Sequence, residues 1–370
     1  MKKRENPSER PSARKNRKQS PILEVQGLRT WFHLDGQIVK AVDGLDLCIL
    51  RGEIFALIGE SGSGKTVTAL SFLRLITPPG RTDADRMLYD GVNLLDLDET
   101  QMQAVRTEKI AMIFQQAKTS LNPVFTVGNQ MVEAIQLKRR NDRDAALQEA
   151  VALLDRMGLP DPEELAQAFP HELSGGQAQR VGIALAITGS PGLLIADEPT
   201  GALDVTIQAQ ILDLLREIQQ RTGTAILLIT HDPGVMAELA DRAAVIYAGQ
   251  IVEQTDVDTL FSTPLHPYTV GLMAAITSMP RKGEHLETIP GTAPNPADLP
   301  PACRFAPRCQ ARLDYGLEIC QLHAPALRPV VDDRLVRCWL YHGHGRHRPP
   351  LSEPQSGSIG AGVQGAVSQA

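Results

Sequence analysis

The first residues able to do chemistry are Gly59-Glu60-Ser61-Gly62-Ser63-Gly64-Lys65-Thr66, which follow the spacing G-x-x-x-x-G-K-[ST]. A glycine-rich turn of this kind points successive backbone N–H groups inward, where they cradle the phosphates of a nucleotide. Gly62 and Gly64 supply dihedrals that a side chain would oppose. Lys65 is placed to reach the β- and γ-phosphates and Thr66 to put its hydroxyl on Mg²⁺, while the helix behind aims its N-terminal dipole at the same anions. A Gly/Ser linker is the plain alternative. It needs neither the apolar run in front, Ile54-Phe55-Ala56-Leu57-Ile58, nor the helical pattern behind, residues 67–73.

Two further constellations sit downstream. Leu193-Leu194-Ile195-Ala196-Asp197-Glu198-Pro199-Thr200 ends a buried-strand pattern with adjacent carboxylates, which an α/β sheet delivers to its carboxyl edge beside the loop. Asp197 suits the Mg²⁺ shell, and Glu198 suits activation or orientation of an attacking water. Between loop and acids lies Leu173-Ser174-Gly175-Gly176-Gln177, followed by the helical residues 181–186. A serine and two glycines at a helix N-terminus make a second set of phosphate-facing N–H groups. One fold needs only one such cradle, so the second points to a second molecule.

A length of 370 residues allows more than one domain. The formal charge of −6 argues against a general nucleic-acid binder. Residues 1–20 run against that balance, with Lys2, Lys3, Arg4, Arg10, Arg14, Lys15, Arg17 and Lys18 opposed only by Glu5 and Glu9. This arm lacks the apolar core of a secretory signal and has the composition of a solvated, disordered tail; attraction to an anionic membrane surface is its other reading. No apolar run reaches the length of a bilayer span, so the chain is expected to be soluble or peripheral. Five cysteines without an export signal indicate a reducing compartment.

Residues 22–25 and 45–49 read as strands flanking a turn at Asp35-Gly36. Three near-continuous apolar runs, 110–114, 193–196 and 225–229, have the character of strands buried on both faces, and helical patterns separate them. A parallel α/β sheet is expected, with a helical, amphipathic insertion from Val127 to Met157. Beyond Glu253 the chain becomes proline-rich and reads as a small appended domain, and from Pro349 a Gly/Ser/Ala/Pro-rich tail follows. His342, His344 and His347 sit in that solvated setting, which argues against metal capture.

The appended region carries Cys303, Cys309, Cys320 and Cys338 in a segment poor in apolar residues, where a staple would compensate for a small core. A cubane cluster and a structural zinc both take four thiolates, and free or disulfide-linked thiols stand beside them as readings. The C-x2-C knuckle common in zinc ribbons is absent. Cys48, in a strand pattern, reads as a small buried hydrophobe.

With Leu173-Ser174-Gly175-Gly176-Gln177 between the loop and the paired acids, the chain resembles the nucleotide-binding subunits of ABC transporters over about residues 21–345. The companion motifs occur in order: Gln115 matches the Q-loop glutamine, residues 201–204 ending at Asp204 the D-loop, and His231 the switch histidine. Phe32 matches the adenine-stacking aromatic, with Trp31 as its rival. The resemblance implies an α/β ATPase with a mixed-sheet core at 21–255, a helical subdomain at about 116–188, a C-terminal domain at 256–345 and a disordered tail at 346–370. It also implies a head-to-tail dimer in which Ser174, Gly175, Gly176 and Gln177 of one subunit complete the ATP site formed by Gly59, Ser61, Gly62, Ser63, Gly64, Lys65 and Thr66 of the other. Gln115 would join Thr66 and Asp197 around Mg²⁺ and report the nucleotide state to a membrane subunit, and His231 would hold the γ-phosphate and the attacking water.

Residues 120–123 and 204–211, together with Leu265-His266-Pro267-Tyr268-Thr269, narrow the resemblance to the dipeptide/oligopeptide permease ATPases. In that subfamily the four cysteines are implicated in a [4Fe-4S] cluster. The implied partners are two transmembrane permease subunits, a second ATPase or another copy of this chain, and an extracytoplasmic solute-binding protein, with no nucleic acid. The implied place is peripheral, at the cytoplasmic face of the inner membrane. The substrate stays open among peptides, nickel, glutathione, opine-like compounds and antimicrobial peptides, because the ATPase does not touch the cargo. A soluble ABC ATPase acting on nucleic acid or ribosomes is the alternative from another class; the acidic charge and the short segment between loop and signature weigh against it. Four positions depart from the subfamily pattern. Gln116-Ala117 replaces Asp-Pro, Gly201 stands where Ser or Thr is commoner, and Pro233 stands where Leu is common. Since Pro fixes φ and lacks an N–H, a helix is expected to start near Pro233.

Overall fold

The computed structural model describes residues 20–34, 36–138, 142–201, 203–277, 289–331 and 333–342. The basic arm, the tail from 346, and His344 and His347 lie outside the described residues.

The chain opens with β1 (Pro21–Leu34) and β2 (Gln37–Leu50), an antiparallel hairpin longer than the two short strands expected from its apolar runs. The extra length is local chemistry: Thr30, Trp31, Phe32, Val39 and Val42 are aromatic or β-branched residues suited to a pleated surface. Strand β3 (Ile54–Ile58) enters the glycine loop, which opens α1 (Lys65–Phe72). Strands β4 (Gly80–Asp83), β5 (Arg86–Tyr89) and β6 (Val92–Asn93) complete an antiparallel sheet with β1 and β2. Helix α2 (Glu99–Ala104) precedes β7 (Ile110–Ile113).

Helices α3 (Ala117–Ser120), α4 (Val127–Lys138), α5 (Arg143–Arg156), α6 (Pro162–Gln167) and α7 (Gly175–Ile187) follow; α4 and α5 occupy the amphipathic stretch from Val127 to Met157, and α3, α6 and α7 extend the helical segment beyond it. The chain then returns through β8 (Leu193–Asp197), α8 (Val205–Thr222), β9 (Ala225–Thr230), α9 (Pro233–Leu239), β10 (Arg242–Tyr247) and β11 (Gln250–Asp256). Helices α10 (Val257–Ser262) and α11 (Pro267–Thr277) open the C-terminal region, whose strands are β12 (Arg328–Val331) and β13 (Arg334–Val336). Helix α9 starts at Pro233, as that residue's geometry requires.

The main sheet runs β12-β13-β11-β10-β3-β9-β8-β7. Its five strands from β10 to β7 are parallel, as the apolar runs predict, and the other three are antiparallel, so the sheet is mixed. Period-two alternation explains why the parallel strands read as unbroken apolar runs. In β8, Leu193 and Ile195 enter the core shared with α1 and the antiparallel sheet, while Leu194 and Ala196 enter the core shared with α4, α5, α7 and α8. The C-terminal region does not stand apart: β13 pairs with β11, opposing Val336 to Glu253, and so extends the main sheet. Among the described residues no helix is long and apolar enough to cross a membrane.

Candidate functional site

Backbone geometry and two carbonyl contacts fix the glycine loop and its lysine. Gly62 and Gly64 take φ of 76° and 105°, left-handed conformations that glycine adopts without steric cost. A Cβ on Gly64 would also lie 2.4 Å from the Ala41 carbonyl oxygen, so the loop admits no side chain there. Gly64 caps α1, and the Lys65 ammonium at its first turn donates to the carbonyls of Gly59 at 2.9 Å and Glu60 at 3.0 Å. Burial lowers the Lys65 pKa, an effect opposed by Glu198, Asp197 and Glu60.

The paired acids stand beside the loop at the carboxyl end of β8. Asp197 is 2% exposed and its carboxyl pKa is raised, first by burial, while a hydrogen bond to Thr66 works the other way. Its Oδ1 and the Ser63 hydroxyl are buried with no hydrogen-bond partner in the protein. Orphaned buried oxygens are costly, and a hydroxyl–carboxylate pair with a free acceptor is a donor set that fits a hard cation such as Mg²⁺.

Glu198 is the next residue and sits at φ 47°, a strained conformation for a residue with a side chain. Its N–H donates to the Ile229 carbonyl at 2.9 Å, and its own carbonyl accepts from Gly201 at 3.0 Å. The strain turns the carboxylate away from the strand and toward two partners. Gln115 Nε2 donates to Glu198 Oε2 at 2.7 Å, and His231 Nδ1 lies 3.0 Å from Oε1. Gln115 and His231 follow β7 and β9, the two neighbours of β8, so three adjacent parallel strands deliver the three side chains to one edge.

The second cradle is built as a helix start. Ser174 caps α7: its hydroxyl accepts from the Gln177 N–H at 3.2 Å, and the Gln177 side chain accepts from the Ser174 N–H at 2.9 Å. This capping box leaves Ser174, Gly175 and Gly176 at an open N-terminus. Helix α7 packs on α3, α4, α5 and β7, whereas α1 packs on β1, β2 and β8. The two cradles therefore belong to different packing units. Asp204, expected near the nucleotide, caps α8 by accepting from Ile207 N–H at 3.0 Å.

Phe32 is half-buried and pairs with Gly80 of β4, its ring lying where a Cβ on Gly80 would have to go. Trp31 is the ring tied to the loop side, with the Lys40 ammonium 5.1 Å from its centroid and Lys40 lining a cleft with Glu60, Ser61, Gly62 and Ser63.

Cys303, Cys309, Cys320 and Cys338 are free thiols within each other's electrostatic range; Cys320 and Cys338 sit in one small core, Cys303 packs against it, and Cys309 packs instead against the neighbouring core around Tyr247 and Phe305. Burial pushes all four upward, Cys309 to about 11 and Cys320 to about 12, and Cys303 raises Cys309, Cys320 and Cys338 further. They do not fit the iron–sulfur expectation as they stand. Among the described residues no group of three or more His, Cys, Asp or Glu side chains is arranged to hold a metal. Protonated thiols do not repel, so these four pack as small apolar side chains. Cys48 is half-buried in β2, with its thiol pKa raised chiefly by burial.

Sequence reasoning missed how the His-Pro-Tyr segment is used. Glu253 of β11, 0% exposed, accepts from the N–H groups of Leu265 at 3.0 Å and His266 at 2.8 Å and pairs with buried Arg334 of β13. His266 Nδ1 accepts from Tyr268 N–H at 3.1 Å, and Tyr268 reaches the glycine loop.

Residues 42–201 match the family model described as ABC transporter, and residues 252–315 match that of the oligopeptide/dipeptide transporter C-terminal region. A putative peptide import ATP-binding protein of Brucella abortus is 46% identical over 330 residues, covering 86% of this chain and 96% of that protein. The chain belongs to the ABC transporter ATP-binding family. The oligopeptide transport ATP-binding protein AppD of Bacillus subtilis is 45% identical, covering 88% of this chain and 98% of AppD. Among solved structures, a dimeric ATP-binding cassette in a post-hydrolysis state with ADP and Pi aligns at TM-score 0.58 and 26% identity, over 64% of this chain and 99% of that one. CbiO1 of Clostridium perfringens, part of an ABC transporter complex, aligns at TM-score 0.56 and 28% identity, over 65% and 90%. The ABC assignment makes the chain an ATPase, with ATP as its substrate and Mg²⁺ as the implied ion.

Proposed function

We propose that this ABC ATPase powers an importer of di- or oligopeptides. The observation that carries the ATPase chemistry is the Glu198 carboxylate held between Gln115 and His231, one residue beyond the Asp197 that bonds Thr66 of the glycine loop. The peptide reading is supported by the matched C-terminal region and by relatives described as peptide import and oligopeptide transport ATP-binding proteins.

In this reading the loop residues Gly59, Ser61, Gly62, Ser63 and Gly64 cradle the phosphates, and Lys65 exchanges its carbonyl partners for the β- and γ-phosphates. Thr66, Asp197 and Gln115 would hold Mg²⁺, and the chemistry it would supply there is neutralisation of phosphate charge. Glu198 orients and deprotonates the attacking water, and His231 steadies it against the γ-phosphate. Phe32 or its neighbour Trp31 stacks on adenine. Ser174, Gly175, Gly176 and Gln177, with Asp204 at the dimer seam, complete the site of a second ATPase subunit, another copy or a homologue. The unit boundaries follow the same reading: 21–255 for the ATPase, 116–188 for its helical part and 256–345 for the C-terminal part.

Two membrane-spanning permease subunits and an extracytoplasmic solute-binding protein complete the proposed importer, which places this chain peripherally at the cytoplasmic face of the inner membrane. For the four cysteines we propose, from their spacing and the family resemblance alone, a shared [4Fe-4S] centre that would require these side chains to move from the positions described above, and no step of the ATPase chemistry passes through it. Anaerobic purification that gave colourless protein without acid-labile sulfide would remove that proposal.

The functional test is mild-detergent affinity purification from the native cell. Recovery with two polytopic membrane proteins, and ATP hydrolysis stimulated by a peptide-loaded binding protein, is the expected result. Recovery with ribosomes or DNA from the soluble fraction alone would overturn the transport reading and leave the ATPase chemistry.

A further inference from the structure

One residue of the glycine loop has all three of its polar groups engaged, two of them by the C-terminal region. The Glu60 N–H donates to the Tyr268 hydroxyl at 3.0 Å. Its carboxylate takes a fork from Arg308, Nη1 to Oε2 at 3.0 Å and Nη2 to Oε1 at 3.3 Å. Its carbonyl accepts from the Lys65 ammonium. Glu60 thus stands between the lysine that must meet the phosphates and two side chains more than 200 residues away in sequence.

Both side chains are held rigidly. Tyr268 is fully buried in an aromatic cluster, its ring 4.6 Å from that of Tyr247 and 5.5 Å from that of Phe305. Arg308 donates to the carbonyls of Pro290 at 2.8 Å and Gly291 at 3.3 Å, with its guanidinium 5.8 Å from the Tyr247 ring centroid. A planar fork on a carboxylate fixes orientation as well as distance, which a lysine ammonium cannot do. The same region touches the loop's flank again, where Lys40 N–H donates to the Pro296 carbonyl at 3.1 Å.

We propose that Tyr268 and Arg308 are positioning residues for ATP binding: by fixing Glu60 they hold the entry turn of the glycine loop and the carbonyl that presents Lys65. The C-terminal region thereby sets the nucleotide affinity of the ATPase. The proposal rests on ATP occupying the loop, and its test separates the two. ATP binding to the purified full-length chain is titrated at saturating Mg²⁺, alongside kcat and KM for hydrolysis, for the parent and for Tyr268→Phe, Arg308→Gln, Arg308→Lys and Lys65→Ala.

Tyr268→Phe keeps the ring and removes one uncharged acceptor, so ATP should bind about five-fold more weakly. Arg308→Gln removes a charged fork and should weaken binding about ten-fold, with Arg308→Lys between it and the parent. In both cases kcat at saturating ATP stays within about two-fold, because Glu198, Gln115 and His231 are untouched. In the Glu60→Gln background, Arg308→Gln should add little, since it acts through Glu60.

The positioning role falls if the parent binds ATP, Lys65→Ala does not, and Tyr268→Phe and Arg308→Gln bind as the parent does. It also falls if the effect of Arg308→Gln persists undiminished with Glu60→Gln, which would mark a merely structural contribution. A parent that bound no ATP would sink the reading of the loop and this proposal together.

Discussion

Glu198 and His231 face each other at 3.0 Å across the carboxyl ends of neighbouring parallel strands, with Gln115 closing the other side of the carboxylate at 2.7 Å. A group held this way keeps its position when its charge is removed. Glu198→Gln should therefore still bind ATP while turnover falls roughly 10²-fold to 10⁴-fold, the range of a lost general base. Parallel ATP titration and phosphate-release assays check this. Normal hydrolysis by the substituted protein would take the water-activating role away from Glu198.

A second prediction concerns pH. His266 is 2% exposed, and burial, with Arg337 adding to it, lowers its pKa to about 3. Its ordinary value of 6.5 applies to the unfolded chain. Below pH 6.5 the unfolded chain therefore binds a proton that the folded chain refuses, and stability falls as pH drops from about 6.5 toward 3. At about 1.36 kcal/mol per pH unit this single group costs about 2 kcal/mol between pH 6.5 and 5. Above pH 7 it adds no slope. Denaturant unfolding from pH 8 to 5 should show that slope, and His266→Asn should flatten it relative to the parent even if its baseline stability is lower.

A third prediction follows from Glu253, wholly buried and held by Leu265 N–H, His266 N–H and the Arg334 guanidinium. Removing one partner of a buried ion pair leaves an uncompensated charge. Arg334→Met should cost about 3–5 kcal/mol. Combining it with Glu253→Gln should recover part of that, because the stranded charge is gone while the amide oxygen still accepts from the Leu265 and His266 N–H groups. Equilibrium denaturation of the three variants tests this. A double variant no more stable than Arg334→Met would show that the charge is not what the arginine answers.

What could be read in the sequence was chemistry carried by contiguous residues. The loop from Gly59 to Thr66, the acids at the end of β8 and the serine cap of α7 are each defined within a few positions, and their elements followed from the apolar runs around them. Buried strands were legible because both faces of β8 and β9 must be apolar. Contacts between distant segments were not. Nothing near Glu60 announces Tyr268 or Arg308, and nothing near Glu253 announces Arg334, since pairing across the fold depends on how β13 meets β11. The same limit applied to the C-terminal region, whose proline-rich composition reads as a separate module although its strands continue the main sheet. The four cysteines are close in sequence, yet the fold divides them between two neighbouring cores, and spacing could not set the distances a metal needs.

The last prediction separates the two jobs of Ser174. Its hydroxyl caps α7 by accepting from Gln177 N–H, and in the proposed dimer the same helix end faces the γ-phosphate bound by the other subunit. Ser174→Ala loses both, at about 1 kcal/mol for the cap alone, so a drop in activity would be ambiguous. Aspartate caps helices about as well as serine and its charge suits a helix N-terminus, so Ser174→Asp should keep the stability of the parent. Yet its carboxylate would confront the phosphate with like charge in a site closed to water, where such repulsion is weakly screened. Thermal unfolding close to that of the parent, together with loss of ATP-driven dimerisation and of most turnover, is the expected outcome by calorimetry, size-exclusion chromatography with ATP, and phosphate release. Parent-like dimerisation and hydrolysis by Ser174→Asp would show that no phosphate approaches this helix, and the composite two-subunit site would have to be abandoned.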